Sequence, residues 1–281
     1  MSDTNLKSEQ HVWPIFLIAL LLGVLGFALA LNSTPSTLPA GHVEAFDIEQ
    51  PLVEKIEKKT TLPFSNQSKK YKVFIQQEGV KSKKHTLTRL SFELIEEKKS
   101  DTILHRSFKN AAVEIYGDTK TPLHPEVSFD VALLIETIKY EIKVDTHNHR
   151  GATLISSDPG KLRSVLRLIQ ESLSLAFVQT PGEKVKSGDK WFFSVKEGED
   201  ILYSGERQLL GKNEKAFVIK QQMHQQKTIA STPISLSGSG TTLVNMNDGG
   251  LESATITLQS IAEIEGNKFV SSTRILLKAI H

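Results

Sequence analysis

The stretch from Asp158 to Trp191 constrains the fold most, because it sets one amphipathic helix between two long runs of strand-like sequence. Asp158-Pro159-Gly160 predicts the helix start, since Asp accepts from free amides and Pro suits the first helical position. Pro181-Gly182 predicts its end. The apolar residues of its predicted face are Leu162, Val165, Leu166, Ile169, Leu173, Ala176 and Phe177. This face must be buried, and a sheet is the only large partner available.

Alternation of apolar and polar residues flanks the helix on both sides. Before it, period-two patterns occupy residues 71–75, 90–94 and 138–144, and residues 152–156 lead into the helix. After Trp191 the pattern returns at residues 201–210, 216–223, 234–246, 251–264 and 268–280. Short turns such as Asp248-Gly249 favour antiparallel pairing. We predict a mainly β (α+β) domain, an antiparallel curved sheet or half-barrel wrapped around one central amphipathic helix.

An uncharged apolar run of 20 residues, 12–31, predicts an N-terminal transmembrane helix. We therefore divide the chain into a short cytoplasmic N-terminus (1–11), an anchor (12–31), a Ser/Thr/Pro linker (32–50) and an extracytoplasmic β-rich domain (51–281). Ala28-Leu29-Ala30 keeps a cleaved signal peptide as an alternative, although the preceding segment holds only Lys7 as a cation.

The side of the membrane is expected from the bulk of the chain rather than from its charges. Lys7 is the only cation before the run and Lys55 is the first after it, so the opposite topology stays open. Long domains translocate largely regardless of charge. We expect a bacterial inner-membrane, single-pass protein whose C-terminal domain is periplasmic.

Composition limits the classes of function. With 39% hydrophobic residues, 23% charged residues and a net charge of +2, the chain can bury an ordinary core and is no nucleic-acid specialist. It has no cysteine, which excludes disulfides, thiol catalysis and a lipidated cysteine. Residues 54–99 hold eleven lysines and Arg89 against six glutamates, a local excess of +6. We interpret them as a solvated face with lysine-protected edge strands; the alternative is a surface for anionic lipid, lipopolysaccharide or cell-wall polymer.

Candidate chemistry is sparse. His147 and His149, beside Asp145 and Asn148, could ligate a divalent ion, but an exposed polar turn is the favoured interpretation and we predict no metal site and no cofactor. The segment 237–241, Ser-Gly-Ser-Gly-Thr, lacks the lysine and helix start of a phosphate loop and predicts a strand bend or β-bulge. No Walker, H-E-x-x-H or G-x-S-x-G motif is present. We therefore predict no catalytic residues and no enzymatic activity.

The helix face and the following aromatic residues form the candidate ligand site. Trp191 and Phe193 share a strand face and either line an apolar pocket between sheet and helix or simply complete the core. The full set of pocket or core residues is Leu162, Val165, Leu166, Ile169, Leu173, Phe177, Trp191 and Phe193.

The sequence P-G-E-K-V-K-S-G-D-K-W at residues 181–191 resembles a turn in a family of uncharacterised bacterial envelope lipoproteins. In that family an amphipathic helix leads to a proline, a valine and a G-D-x-W. The similarity extends through Gly151, Gly238-x-Gly240 and Asp248-Gly249, but this chain lacks the lipid-bearing cysteine. The arrangement is also similar, in fold only, to the half-barrels of periplasmic lipoprotein carriers. The resemblance implies an envelope location and no catalytic residues.

These observations favour a non-enzymatic, membrane-anchored envelope protein whose β-rich domain binds an apolar ligand or a protein partner. Its expected partners are the membrane, through the single N-terminal span, and a lipid or an envelope protein; nucleic acid is not expected. One alternative is a structural or assembly component of an envelope complex. The other is a hydrolase whose active-site residues are scattered along the sequence.

Overall fold

A computed structural model describes residues 45–48, 52–63, 65–81, 84–116, 125–145, 150–156, 163–197, 200–229, 232–264 and 267–280. The strands are β1 (Lys69–Lys81), β2 (Lys84–Lys98), β3 (Ile103–Tyr116), β4 (Lys139–Val144), β5 (Arg150–Leu154), β6 (Lys190–Glu197), β7 (Asp200–Lys212), β8 (Ala216–Ile229), β9 (Thr232–Asn245), β10 (Leu251–Ile264) and β11 (Asn267–Ile280). Two helices accompany them in these ranges, α1 (Pro125–Thr137) and α2 (Arg163–Ala176).

All eleven strands form one antiparallel sheet in the order β5-β4-β3-β2-β1-β11-β10-β9-β8-β7-β6. Each half is a meander, and the two halves join where β1 pairs with β11. The connection that contains α2 therefore starts at one edge strand, β5, and returns at the other, β6. The prediction of one large antiparallel sheet is confirmed, and the sheet is not closed into a barrel.

The inner face of the sheet carries the core because alternate side chains of each strand point to it. A row of buried residues crosses five neighbouring strands, from β10 through β11, β1 and β2 to β3, at Ile256, Ile275, Ile75, Leu90 and Val113. Helix α2 packs on this face, and Val165, Leu166, Ile169, Leu173 and Ala176 are all buried in the same cluster. The helix contacts both halves of the sheet, because its Gln170 accepts from Arg106 of β3 at 3.0 Å and its Leu175 lines one cavity together with Leu258 of β10.

The two described stretches before β1, residues 52–63 and 65–68, are here called the strap and lie at one end of the sheet. Glu54 pairs with Lys212 at the end of β7, and Thr60 pairs with Val185 just before β6. Further along, the Ser65 carbonyl accepts from Arg150 of β5. The strap thus links the regions of both sheet edges, and we call this end of the sheet the strap end. The other end, with the tips of hairpins β1–β2, β8–β9 and β10–β11, is the hairpin end.

Two details of the predicted fold are wrong. The sequence prediction contained one helix, whereas α1 also packs in the main core through Ala132 and Ile135. Its exposed Leu133 and Leu134 interrupt a simple apolar stripe, which explains why the pattern was missed. The segment 237–241 is not a bend or bulge, because β9 pairs there in unbroken register with β8 and β10.

The interpretation of the lysines as protection of edge strands is also wrong, because β1 and β2 are interior strands and the edges are β5 and β6. The predicted membrane segment 12–31 and the start of the linker lie outside the described residues. None of the helices in the described ranges has the length and apolar character needed to cross a membrane.

Candidate functional site

A cavity of about 90 Å³ lies between α2 and the inner face of the sheet, toward the hairpin end. Its apolar lining residues are Leu168 and Leu175 from the helix with Leu236 and Leu258 from β9 and β10. Its polar lining residues are Gln77, Glu171, Ser172, Tyr203, Ser260, Ser271 and Thr273. Helix and sheet therefore both contribute apolar side chains and hydroxyl, amide or carboxylate groups to the space.

Tyr203 and Glu171 fasten the helix beside this cavity. The Tyr203 hydroxyl donates to Glu171 Oε2 at 2.5 Å, and Arg167 Nε donates to Glu171 Oε1 at 2.7 Å. Burial, followed by the nearby Glu171 carboxylate, raises the pKa of Tyr203 well above its ordinary value of 10.0. Tyr203 therefore stays a neutral donor at physiological pH.

Arg207 is a fully buried cation at the C-terminal end of α2. Its Nη2 donates to the carbonyl oxygens of Leu175 and Phe177 at 3.2 and 3.3 Å, and its Nε donates to Gln221 Oε1 at 3.3 Å. The guanidinium lies over the ring of Phe193 at 4.1 Å. Burial lowers the pKa of Arg207 to about 9, so the group is still charged at neutral pH.

The strap end holds a second buried cluster, built on Glu96. Arg106 Nη2 contacts Glu96 Oε1 at 2.6 Å, and Arg150 Nη1 contacts Glu96 Oε2 at 2.7 Å. Burial alone would raise the pKa of Glu96, but the guanidiniums of Arg150 and Arg106 hold it below its ordinary value of 4.5. The cross-strand pairing of Glu96 with Arg106 places both residues on the inner face.

Phe177 joins the two clusters at the end of α2. Its ring lies beneath Arg150 at 3.9 Å and meets the ring of Tyr71 edge-on at 5.6 Å, while its carbonyl accepts from Arg207. The segment after the helix is fixed to β6, because Trp191 Nε1 donates to the Gln179 carbonyl at 2.9 Å. The C-terminal end of the helix is therefore firmly attached to the sheet.

The described members of the predicted pocket or core set lie together around α2. Val165, Leu166, Ile169, Leu173, Phe177 and Phe193 are buried in the main core. Trp191 is half-buried and packs on a separate cluster that includes Val185 and Leu209. Leu162 lies outside the described residues. The cavity itself is lined by their neighbours, Leu168 and Leu175 on the helix, rather than by these residues.

The buried polar residues Glu96, Arg106, Arg207 and Gln221 were missed by the sequence prediction. The signal was present, since Glu96 continues the inward phase of Leu90, Phe92 and Leu94. In the same way Gln221 continues the phase of Phe217 and Ile219. A polar or charged residue at a position where the alternation predicts an inward-facing apolar residue is a candidate for burial, but the pattern does not identify its partner.

His147, His149 and Asn148 of the predicted polar turn lie outside the described residues, and Asp145 is exposed. Within the described ranges, no group of three histidine or carboxylate side chains could hold a metal ion. That His147 and His149 form no metal site therefore stays a prediction.

Comparison with known proteins gives a fold relative only. No protein-family model matches the chain, and no curated protein sequence matches it. Among solved structures, it is similar to the one titled "Lipid-protein interactions in lipovitellin", with a TM-score of 0.55 and 9% identity. The match covers 77% of this chain and 25% of the lipovitellin chain, so this chain spans about a quarter of that protein's length. At this identity the likeness shows the fold alone.

Proposed function

We propose that this protein is a non-enzymatic binder of apolar ligands, and that the ligand occupies the space between α2 and the inner face of the sheet. The observation that carries the proposal is the cavity of about 90 Å³ beside the helix, which is lined by four leucines and by hydroxyl-bearing residues that include Tyr203 and Ser260. Ligand sites are usually concave and apolar with a few polar groups that orient the ligand. The lipovitellin structure, titled for lipid–protein interactions, supports the proposal through its fold.

The cavity size sets the mode of binding. A water molecule needs about 10–15 Å³ of such volume, so about 90 Å³ admits several waters or a short alkyl segment, not a complete lipid. A ligand with a longer alkyl chain would require the N-terminal half of α2 to move away from the sheet. That movement would break the Tyr203–Glu171 hydrogen bond while the attachment at Phe177 held the other end.

The proposal includes the cell envelope as the site of action, with residues 12–31 as the anchor and the β-rich domain on the extracytoplasmic side. A reporter fused after His281 tests this part separately. We expect activity of an extracytoplasmic reporter such as alkaline phosphatase, and activity of a cytoplasmic reporter alone would contradict the location without affecting the ligand site.

Ligand binding is tested with the neutral fluorescent probe N-phenyl-1-naphthylamine added to the delipidated full chain. We expect saturable fluorescence enhancement. Ser260→Phe, which places a ring in the cavity, should weaken probe binding at least about fivefold. Gln259→Phe is the matched control, because the neighbouring side chain is exposed on the opposite face of β10.

The results separate the site from nonspecific binding. Equal weakening by the two variants, or no saturable enhancement with the wild-type chain, would contradict an internal ligand site. Extraction of the purified chain followed by mass spectrometry would then show whether any apolar compound accompanies it from the cell.

A second candidate is an assembly component that binds an envelope protein at the β5 edge. It is favoured by the apolar side chain of Ile155, which follows edge strand β5 and is 49% exposed. Leu133 and Leu134 of α1 are further exposed apolar residues, at 50% and 48%. An extended segment of a partner could add to such an edge. Crosslinking of the full chain in cells should trap a stoichiometric neighbour at Ile155 if this candidate is correct, and none if the edge is free.

A further inference from the structure

Arg207 is charged and buried, yet the described residues provide it with no carboxylate. Burial lowers the pKa of Arg207, whereas the carboxylate of Glu96 is buried together with the close opposite charges of Arg150 and Arg106. Burial of an unpaired charge costs several kcal/mol even after relaxation. Arg207 therefore requires an explanation beyond packing.

The end of helix α2 gives part of that explanation. The helix has no basic residue in its last turn, and Arg207 supplies a cation there through the carbonyls of Leu175 and Phe177. A helix C-terminus, however, carries a partial charge equivalent to only about half of one negative charge. The guanidinium is thus only partly balanced by the carbonyls it contacts.

Neighbouring donors are also unpartnered. Arg207 Nη1 and Gln221 Nε2 are buried with no hydrogen-bond acceptor among the described residues, and Thr242 Oγ1 likewise has no partner there. Arg207 pairs directly with Gln221 across β7 and β8, and Thr242 lies diagonally opposite Gln221 on β9. Buried polar groups are normally satisfied, so adjacent donors without acceptors indicate a place for an acceptor-bearing group.

This group of donors adjoins the cavity. Leu175 lines the cavity with its side chain and accepts from Arg207 with its carbonyl. Tyr203, on the cavity wall, is four residues from Arg207 on the same face of β7, a distance of about 13 Å along the strand. Phe193 and Met223 lie against Gly205 between these two residues, so a ligand that extended from the cavity along β7 would reach the guanidinium by displacing these two side chains.

From this arrangement we propose that the ligand is an anionic single-chain amphiphile, whose acidic head binds Arg207 and Gln221 while its apolar chain occupies the space toward Tyr203. The inference rests on the proposed function and adds the chemical class of the ligand. Arg207 Nη1 and Gln221 Nε2 are the donors left for an acidic head, and hydrogen bonds from a charged donor to an anionic oxygen are the strong ones. The ring of Phe193 lies over the guanidinium at 4.1 Å.

The test compares ligands of one chain length and different heads on the delipidated full chain. Oleate, oleoyl lysophosphatidic acid and neutral oleyl alcohol compete for the site against N-phenyl-1-naphthylamine. We expect at least one of the two anions to bind at least about tenfold more tightly than the alcohol. Preference for oleate would assign a carboxylate head, and preference for the lysophosphatidic acid would assign a phosphate.

Variants assign the preference to a residue. Arg207→Met should remove the preference for the anion and leave the affinity for oleyl alcohol within about twofold of the wild-type value. Gln221→Leu should lower the affinity for the anion severalfold. Lys220→Met is the matched control, because it removes an exposed cation next to Gln221 on the outer face of β8. We expect it to leave both affinities unchanged. Gln221→Leu decides the matter if the Arg207 variant does not fold.

The outcomes distinguish the two proposals. Saturable binding of the alcohol and both anions with equal affinity would overturn the anionic ligand and leave the apolar site standing. Binding of none of the three would overturn both proposals. If Arg207→Met and Gln221→Leu still bound the anion more tightly than the alcohol, Arg207 would serve only to hold the end of α2. The same conclusion would follow if these variants lost affinity for the alcohol and the anion to the same extent.

Discussion

The two buried arginine clusters on the inner face of the sheet differ in how their charge is balanced. At the strap end, Arg106 and Arg150 share the carboxylate of Glu96 at 2.6 and 2.7 Å. At the end of α2, Arg207 contacts two helix carbonyls and one amide oxygen and leaves Nη1 unpartnered among the described residues. Both clusters contact Phe177, so they belong to one packed region.

The comparison shows which cluster is a structural device. Glu96, Arg106 and Arg150 connect β2, β3 and β5, and Arg150 also holds the strap through Ser65. Charges that satisfy each other in this way fix the positions of strands. Arg207, by contrast, has a guanidinium nitrogen without an acceptor and no carboxylate among the described residues, whereas both guanidiniums at the strap end contact Glu96. A buried charged group left in this state is a candidate binding group.

The largest expected effect comes from Glu96→Gln. This change leaves Arg106 and Arg150 near each other without a carboxylate, and removal of one partner from a buried ion pair costs about 3–5 kcal/mol in free energy of unfolding. Arg207→Met removes the buried charge itself, so its effect should be smaller. Urea denaturation of both variants measures the difference, and equal losses would contradict the distinction between the clusters.

The second-largest effect is expected from acid pH, which should lower the contribution of the Glu96 cluster to the free energy of unfolding. Because the folded-state pKa of Glu96 lies below its ordinary value of 4.5, the unfolded state takes up the proton first as pH falls. The stabilisation by Glu96 is present above about pH 4.5 and is lost as pH falls through the folded-state pKa. Urea midpoints measured between pH 7 and pH 3 should fall less steeply for Glu96→Gln than for the wild-type chain; parallel curves would show that other carboxylates control the acid response.

Packing of the sheet beside Met223 is tested by Gly238→Ala. A Cβ at Gly238 would lie 2.6 Å from Leu258 Cδ2 and 2.9 Å from the Thr257 carbonyl, so we expect a loss of about 1–3 kcal/mol in free energy of unfolding. Gly151→Ala on the β5 edge is the control, because a Cβ there meets nothing within 4 Å. Thermal unfolding of both variants compares them. Tolerance of alanine at Gly238 would show that the sheet next to Met223 is loosely packed.

The smallest effect is expected for an exposed ion pair. Lys190 and Glu206 approach to 2.7 Å on the outer face, with side chains 51% and 33% exposed. Exposed pairs contribute about 0–1 kcal/mol, so Lys190→Ala should change the urea midpoint only slightly, and less at high salt. A loss comparable to that of Glu96→Gln would contradict the view that burial makes the strap-end pair important.

The sequence predicted the elements whose pattern is local. The period-two strands around residues 71–75, 90–94 and 138–144 and the apolar face from Val165 to Phe177 all appear in the structure as strands and as a buried helix face. Helix α1 was missed because Leu133 and Leu134 are exposed and blur its buried side at Ala132 and Ile135. Its Pro125 was a usable signal, since proline favours the first turn of a helix.

The candidate site was predictable only in outline. The sequence placed a ligand or a core between α2 and the sheet, but it did not indicate that Leu168 and Leu175 line the cavity or that Arg207 lies behind it. The sequence also did not indicate that Gly205 and Gly238 both pair with Met223, one on each side of it. At both positions the absence of a Cβ lets neighbouring side chains lie against the strand. These relations join residues far apart in the chain.

By itself, the sequence determined strand phase, the helix and its buried face, because these depend on the side chains of adjacent turns and alternate residues. Only the tertiary structure decided that β1 pairs with β11, that Glu96 neutralises Arg106 and Arg150, and that Arg207 has no carboxylate among the described residues. The physical reason is that a buried charge is balanced by the groups that strand register and packing place within a few ångströms of it. Local periodicity in the sequence does not specify which distant residues come that close.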